Sequence, residues 1–147
     1  MTILKLVPLI DPVLRCPTRG VKRILPEHHR LIDDMLETLA ATEGIGLSAN
    51  QVGRDYKIAV VCLPGAGPMV YINPRLLARS GRHRVVEGCL SIPGYTGIVE
   101  RFRNVTVRAL GLAGFPFETK ADGLLAQILQ HEIDHLNGKL YIERLVA

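Results

Sequence analysis

Two histidines near the C-terminal end constrain this chain more than any other feature. His131 and His135 lie in the run QHEIDH, inside a segment whose apolar residues recur at helical spacing. On a helix, residues four apart share one face, so both imidazoles point the same way, toward the protein interior. Two such imidazoles can hold one metal ion, with Glu132 beside them as a candidate proton carrier. The run therefore predicts a buried helix that serves metal-assisted hydrolysis.

The segments before this helix predict an α+β domain. Apolar residues recur at helical spacing over residues 26–42, which predicts one amphipathic N-terminal helix. Short Val- and Ile-rich segments then predict antiparallel strands at residues 58–63, 69–72, 84–86, 105–110 and 115–119. The last helix is expected to begin after Asp122 and to end at Asn137-Gly138, with a closing strand at 140–142. We therefore expect short antiparallel β-sheets packed around a central C-terminal helix that carries the HExxH motif.

Composition and cysteine content predict a single globular domain over residues 1–147. Hydrophobic residues make up 48% of the chain and charged residues 22%, an ordinary balance for a folded protein. The sequence shows neither a secretory signal pattern nor an apolar run of the roughly 20 residues that cross a membrane, so we expect a cytoplasmic protein. Cys16 and Cys62 are expected to be inert core residues rather than members of a disulfide framework.

The net charge of +4 is mildly basic. Four arginines fall close together at positions 75, 79, 82 and 84. They are compatible with an anionic partner such as RNA, and equally with a solvated face. We expect no direct DNA binding.

A catalytic metal site of this kind needs a third protein ligand. In metzincin proteases the string HExxHxxGxxH supplies it, but this chain matches only through Gly138 and has Tyr141 in the last position. Cys89 is the better candidate, because a thiolate binds such metals at ~2.3 Å and the preceding Gly88 allows close backbone approach. By itself a lone cysteine is more often a small buried residue, and only the histidine pair favours ligation.

A third segment, GIGLSANQ at residues 44–51, follows the first helix. Its glycines give a bound ligand access to the backbone, and Gln51 offers an amide donor. Taken alone, the segment is a weak signal, because glycines after a helix usually form only a C-cap and turn.

Together the three segments resemble the peptide deformylase family. That family is known by GΦGLAAxQ, EGCLS and HExDH in this order, and this chain has GIGLSANQ, EGCLS and HEIDH. The resemblance extends from about Leu4 to Leu145. The chain departs from the family at Ser48, where alanine is usual, and at residues 95–97, where some members place an arginine. It also ends at Ala147, so we expect it to lack the long C-terminal helix with which many bacterial members contact the ribosome.

The resemblance implies a reaction, a metal and a role for each motif residue. Cys89, His131 and His135 are expected to hold one divalent ion, most often Fe(II) in the cell, which Zn(II), Ni(II) or Co(II) can replace. Glu132 is expected to take a proton from water and return it to the departing amine. The side chain of Gln51 and the backbone N–H of Leu90 are expected to stabilise the oxyanion. The substrates that the resemblance implies are N-formylmethionyl nascent peptides, which are expected to yield formate and a free N-terminus.

The peptide is expected to pair as an added strand beside Ile45-Gly46 and near Gly94. A pocket for the methionine side chain is expected from Ile45, Leu124, Ile128 and the ring of His131. Glu87 and Arg101 are interpreted either as a buried pair that braces the Cys89 loop or as an exposed pair of little consequence. The resemblance further implies possible transient ribosome association, no membrane partner, and residence in the cytoplasm or in an organelle of bacterial ancestry.

Two other functions share parts of this pattern. An endopeptidase of the zincin type would also use HExxH, but Tyr141 stands where its third ligand is expected. A non-enzymatic metal-binding homologue that recognises nascent N-termini would require a spoiled catalytic set, whereas Gln51, Cys89, Glu132 and both histidines are present.

Overall fold

The computed structural model describes residues 2–146 and confirms a mixed α+β architecture. One antiparallel sheet has the strand order β1-β2-β3-β4-β5. Its strands are β1 Gly46–Ser48, β2 Ile58–Val61, β3 Met69–Cys89, β4 Ile92–Leu110 and β5 Pro116–Asp122. The α-helices are α1 Pro26–Ala40 and α2 Gly123–Leu136, and short 3-10 helices occupy Pro12–Arg15, Ala49–Val52 and Tyr141–Arg144. Over residues 2–146, no helix combines the length and hydrophobicity that a membrane crossing requires.

The expectation of short strands in several sheets is wrong. β3 has 21 residues and β4 has 19, and they form one long hairpin in a single sheet. The polar stretch near residues 73–84 hid this continuity, because most of its side chains are exposed while the partner strand pairs its backbone. Pro74 is tolerated there because the register with β4 shifts between Ile72 and Arg75.

Several local expectations also fail. Gly46 contributes to strand β1, which was not among the predicted strands, and residues 140–142 fall at a 3-10 helix instead of a strand. Beyond that helix, Leu145 reaches β4 in one isolated bridge with Val99. Cys16 is exposed and thus not a core residue, whereas Cys62 is half-buried and packs against the edge of the core. The sequence marks all these segments only weakly, because their conformation depends on distant neighbours.

Helix α1 confirms the predicted amphipathic helix and ends two residues earlier than expected. Its buried face carries Leu31, Ile32, Met35 and Leu39, which form a core with residues of β1 and β2. Burying each such side chain contributes about 1.5–3 kcal/mol. This core supports the strand that carries one wall of the cleft described below.

Helix α2 contacts all five strands of the sheet. Its last two turns are buried on their polar side as well as on their apolar side. Asp122 stands at the predicted N-cap position, although its carboxylate makes no capping hydrogen bond within the described chain. The helix is followed by Gly138 at φ +79°, where a Cβ would lie 2.8 Å from the backbone of Arg15. Glycine is required at this position both by the left-handed backbone and by the close approach.

Candidate active site

Three potential metal donors converge where the end of β3 meets helix α2. Cys89 Sγ lies 3.3 Å from His135 Nε2, which lies 2.9 Å from His131 Nε2. These three atoms all lie within 4.8 Å of one another. Bonds of about 2.0–2.3 Å to a tetrahedral ion place donors roughly 3.3–3.6 Å apart. The Cys89–His135 and His135–His131 separations are within about half an ångström of that requirement, so the set is compatible with a single ion.

Hydrogen bonds to other residues orient the helix that carries both histidines. His131 Nδ1 lies 2.8 Å from Glu87 Oε1, which leaves its Nε2 facing the other donors. Asn50 is fully buried, and its amide donates to the backbone carbonyl of His135 at 2.6 Å. A carboxylate behind a ligating imidazole fixes the ring and makes it a better ligand.

The side chain of Gln51 is held in one orientation. Its Oε1 accepts from the backbone N–H of Ser48 at 2.9 Å and from the Ser48 hydroxyl at 3.1 Å. Its Nε2 therefore points the other way, 3.1 Å from Ser91 Oγ and 3.4 Å from Cys89 Sγ. Both ends of the amide have hydrogen-bond partners. Gln51 therefore directs its N–H groups toward the Cys89, His131 and His135 cluster at little entropic cost.

Glu132 lies beside the cluster and is almost completely buried. Within residues 2–146, no hydrogen-bond partner reaches its Oε1. Its Oε2 faces β1, where a Cβ on Gly46 would lie only 2.7 Å away. Burial raises the pKa of Glu132 to about 7, and the negative charge of Glu87 adds to that rise. A buried carboxyl with a free oxygen is suited to exchanging a proton with a bound molecule.

The electrostatics of the cluster favour a positive charge at its centre. Burial would lower the pKa of His131, but hydrogen bonds with Cys89 and Glu87 and the charge of Glu132 raise it to about 10. Burial and the positive charge of His131 instead lower the pKa of His135 well below its usual value. A cation held by deprotonated ligands satisfies the same negative surroundings, so the donor set and its charges both fit a metal ion.

Glu87 and Arg101 form a buried pair, as one of the two interpretations expected. Arg101 Nε and Nη2 each donate to the Glu87 carboxylate at 2.7 Å, and both side chains are at most 4% exposed. Burial would raise the pKa of Glu87, but its bonds and charge interactions with Arg101 and His131 lower it to about 2. Asp134 joins the pair by accepting from Arg101 at 2.6 Å and from Arg144 at 2.5 Å. This network ties β3 and β4 to helix α2 directly behind the donors.

Breaking this network is expected to destabilise the fold. Arg101→Met would leave two buried carboxylates without their shared partner, which costs about 3–5 kcal/mol. Arg108→Met is the matched control, because Arg108 pairs with Glu118 on the surface at 45% exposure and such pairs contribute about 0–1 kcal/mol. Urea unfolding followed by circular dichroism measures both free energies. Equal small losses in the two variants would contradict a structural role for the Arg101 network.

A cleft of about 550 Å³ opens beside the donors. Its walls include all the residues predicted to bind substrate, namely Ile45, Gly46, Gly94, Leu124 and Ile128. They also include five residues predicted to take part in the reaction or to hold metal, namely Gln51, Cys89, Leu90, His131 and Glu132. Arg101 lies behind the cleft with the network, and His135 is fully buried beneath it. The structure thus brings the three sequence segments together around one concave surface.

Sequence reasoning missed several residues that support this site. Ser48 and Ser91 orient Gln51, and each adjoins a motif residue, so their hydroxyls were a usable signal. Asp134 lies inside the HEIDH run itself, where its buried acidic side chain could have been expected to need a cationic partner. Arg144 could not be found from the sequence, because its contact depends on the turn that follows α2.

A Cys-His-His donor set beside a buried carboxylate, in a cleft at the end of a β-hairpin, defines a metal-dependent hydrolase. The chain matches the family described as polypeptide deformylase over residues 3–147. It is 45% identical to a peptide deformylase of Alkalilimnicola ehrlichii over 99% of this chain and 83% of that protein. On this evidence, the chain belongs to the polypeptide deformylase family.

Solved structures agree with the assignment. A peptide deformylase from Thermotoga maritima superposes with a TM-score of 0.96 at 33% identity, covering 100% of both chains. One from Ehrlichia chaffeensis, in complex with actinonin, superposes with a TM-score of 0.95 at 37% identity, covering 99% of this chain and 90% of that one. The protein is a peptide deformylase that removes the N-formyl group from new polypeptides, and it uses a metal cofactor.

Proposed function

We propose that Cys89, His131 and His135 hold the metal, and that Glu132, Gln51 and Leu90 carry out the hydrolysis around it. The observation that carries the proposal is the convergence of Sγ and two Nε2 atoms beside the free carboxylate oxygen of Glu132. When bound, a divalent ion supplies Lewis-acid chemistry that polarises a carbonyl and lowers the pKa of water. The remaining work falls to groups of the chain itself.

The proposed proton path runs through Glu132. Its carboxylate removes a proton from the water that attacks the formyl carbon. Negative charge then develops on the formyl oxygen, where Gln51 Nε2–H and the backbone N–H of Leu90 are the proposed donors. As the C–N bond breaks, Glu132 passes its proton to the amine nitrogen, so that formate and a free N-terminus leave. Because Ser48 fixes the amide of Gln51, that donor requires little reorganisation during the reaction.

The substrate is proposed to lie between the two strand ends that border the cleft. Its backbone would pair with Ile45-Gly46 on one side and approach Gly94 on the other. The methionine side chain would occupy the apolar part formed by Ile45, Leu124 and Ile128, against the ring of His131. Gln127 also lines this region, but its amide is engaged because it donates to the Val86 carbonyl at 3.0 Å.

Fe(II) is the metal that we propose for the cell, with Zn(II), Ni(II) or Co(II) able to replace it. One thiolate and two imidazoles suit all four ions, and the family resemblance favours iron. Elemental analysis of protein purified without oxygen tests this choice. Zinc at full occupancy in such a preparation, with no iron, would contradict it.

We further propose that residues 1–147 act as one catalytic domain in the cytoplasm, or in an organelle of bacterial ancestry. Transient association with the ribosome would bring the cleft to nascent peptides. Of the clustered arginines, Arg79 and Arg82 place their guanidinium groups 5.0 and 5.5 Å from the centre of the Phe102 ring. Arg82 also pairs with Glu100, so part of this basic surface is already engaged within the fold.

Formate release tests the proposal. Incubation of the metal-loaded protein with formyl-Met-Ala-Ser is expected to give one formate per peptide and a free N-terminal methionine. Coupled formate detection and mass spectrometry measure the two products. Cleavage of internal peptide bonds without formate would instead indicate an endopeptidase. The structure weighs against that alternative, because the Tyr141 hydroxyl is engaged in a hydrogen bond that it donates to the carbonyl of Tyr95.

A further inference from the structure

The β3–β4 hairpin is irregular where it borders the cleft. Gly88 pairs with Thr96, yet the next residue, Cys89, pairs with Ile92. Residues 93–95 of β4 are therefore extra, and they form a bulge that departs from the regular ladder. Gly94 and Tyr95 of this bulge line the cleft, and Gly94 has a φ of +79°. One wall of the cleft is thus formed by the bulge at residues 93–95, whose backbone is not paired with β3.

Tyr141 holds this bulge from within the protein. Its side chain is fully buried, and its hydroxyl donates to the carbonyl of Tyr95 at 2.9 Å. Tyr141 belongs to the 3-10 helix that follows α2. It is 46 residues away from Tyr95 along the chain. The contact therefore connects the end of the domain to the substrate side of the cleft.

The residues after Tyr141 follow β4 beyond the bulge. The N–H of Val146 donates to the carbonyl of Ile98 at 2.9 Å, and Leu145 bridges to Val99. The side chain of Leu145 also packs where Gly97 has no Cβ. The segment 141–146 is thus attached to β4 by contacts that do not involve the Tyr141 hydroxyl. Removal of the Tyr141 hydroxyl is expected to release the bulge without detaching this segment.

We propose that Tyr141 is a positioning residue for the peptide substrate. Its hydroxyl keeps the 93–95 bulge in the shape against which the substrate backbone lies. The inference rests on the proposed contact between the peptide and Gly94. Without the hydrogen bond, part of the bulge must be ordered when the peptide binds, and that cost weakens binding rather than chemistry. The atoms of Tyr141 do not touch the reacting groups in this scheme.

The test is Tyr141→Phe, assayed as the metal-loaded protein with formyl-Met-Ala-Ser. We expect KM to rise about three- to tenfold, the effect of one lost hydrogen bond, with kcat within about twofold of wild type. Metal content is expected to be unchanged. Tyr71→Phe is the matched control, because Tyr71 is also fully buried but its hydroxyl lies near Met69 Sδ, outside the cleft. The control is expected to keep the wild-type KM.

Three results would overturn the inference. An unchanged KM in Tyr141→Phe would show that the hydroxyl does not position the substrate. A fall in kcat with loss of metal at constant KM would instead assign Tyr141 to support of His131, whose ring centroid lies 6.3 Å from its own. An equal KM rise in Tyr71→Phe would show a general effect of losing a buried hydroxyl. Wild-type protein that releases no formate would contradict the proposed function itself, which separates the two failures.

Discussion

Glu132→Gln is expected to lower kcat by about 10²–10⁴-fold while the protein keeps its full metal content. Glutamine has nearly the same shape as glutamate but cannot accept the proton from water. The donors Cys89, His131 and His135 are separate residues, so ligation does not depend on the carboxylate. Formate release and elemental analysis of the same preparation measure the two quantities. In the wild type, Oε1 of the buried Glu132 carboxyl has no hydrogen-bond partner, so the substitution breaks no hydrogen bond at that atom. The variant is therefore not expected to lose stability.

Glu118→Gln is the control for the change of charge. Glu118 lies on β5, pairs with Arg108 at the surface and is remote from the cleft, so wild-type kinetics are expected. Substantial turnover by Glu132→Gln would overturn the proposed proton path. Loss of metal in that variant would show instead that Glu132 contributes to ligation.

Cys89→Ser is expected to lose both metal and activity. A serine hydroxyl is a poor substitute for a thiolate, which is the soft ligand of the set. Loss of an outer-shell partner alone lowers metal affinity by roughly 10–100-fold, and loss of a direct ligand is expected to cost at least as much. Metal content after dialysis, together with the rate of formate release, measures the effect. Return of activity on adding excess Fe(II) or Ni(II) would show that the protein is folded and lacks only affinity.

Cys62→Ser is the matched control for this substitution. Cys62 is half-buried, and its Sγ lies 3.7 Å from the carbonyl of Ala66, outside the cleft. Metal content and activity are expected to match the wild type. Unchanged metal stoichiometry in Cys89→Ser would place the third ligand elsewhere and would require a new assignment of the site.

Glu132→Gln and Cys89→Ser separate two roles that meet in this site, proton transfer and metal ligation. His131 is ordered by Glu87, which is ordered by Arg101, which also binds Asp134 on the same helix as His131. This closed arrangement couples the end of β3 to α2, so that Cys89 meets the histidines at a fixed distance. Because metal ligation needs donors held within tenths of an ångström, the buried ion-pair network serves the site as well as the fold.

Local sequence predicted the shared orientation of the two histidines. The i, i+4 spacing of His131 and His135 is a property of any helix, and the apolar residues around them indicate which way the imidazoles point. The place of Gln51 at the site was expected from the resemblance to the family, whereas its orientation by Ser48 was not expected. The histidine spacing and the Ser48–Gln51 contact depend on residues close in sequence, where periodicity and backbone chemistry are informative.

Tertiary structure alone decided how the remaining parts meet. The length of β3 and β4 was not predictable, because polar residues such as Arg79 and Arg82 lie in a strand only when a partner strand pairs their backbone. The bulge at residues 93–95, its bond from Tyr141 and the joining of Asp134 to Arg101 and Arg144 are contacts between distant segments. The sequence by itself indicated metal-assisted hydrolysis, since two histidines at i, i+4 with a glutamate beside them form a local pattern. The shape of the cleft was decided only by the fold, since it depends on long-range packing.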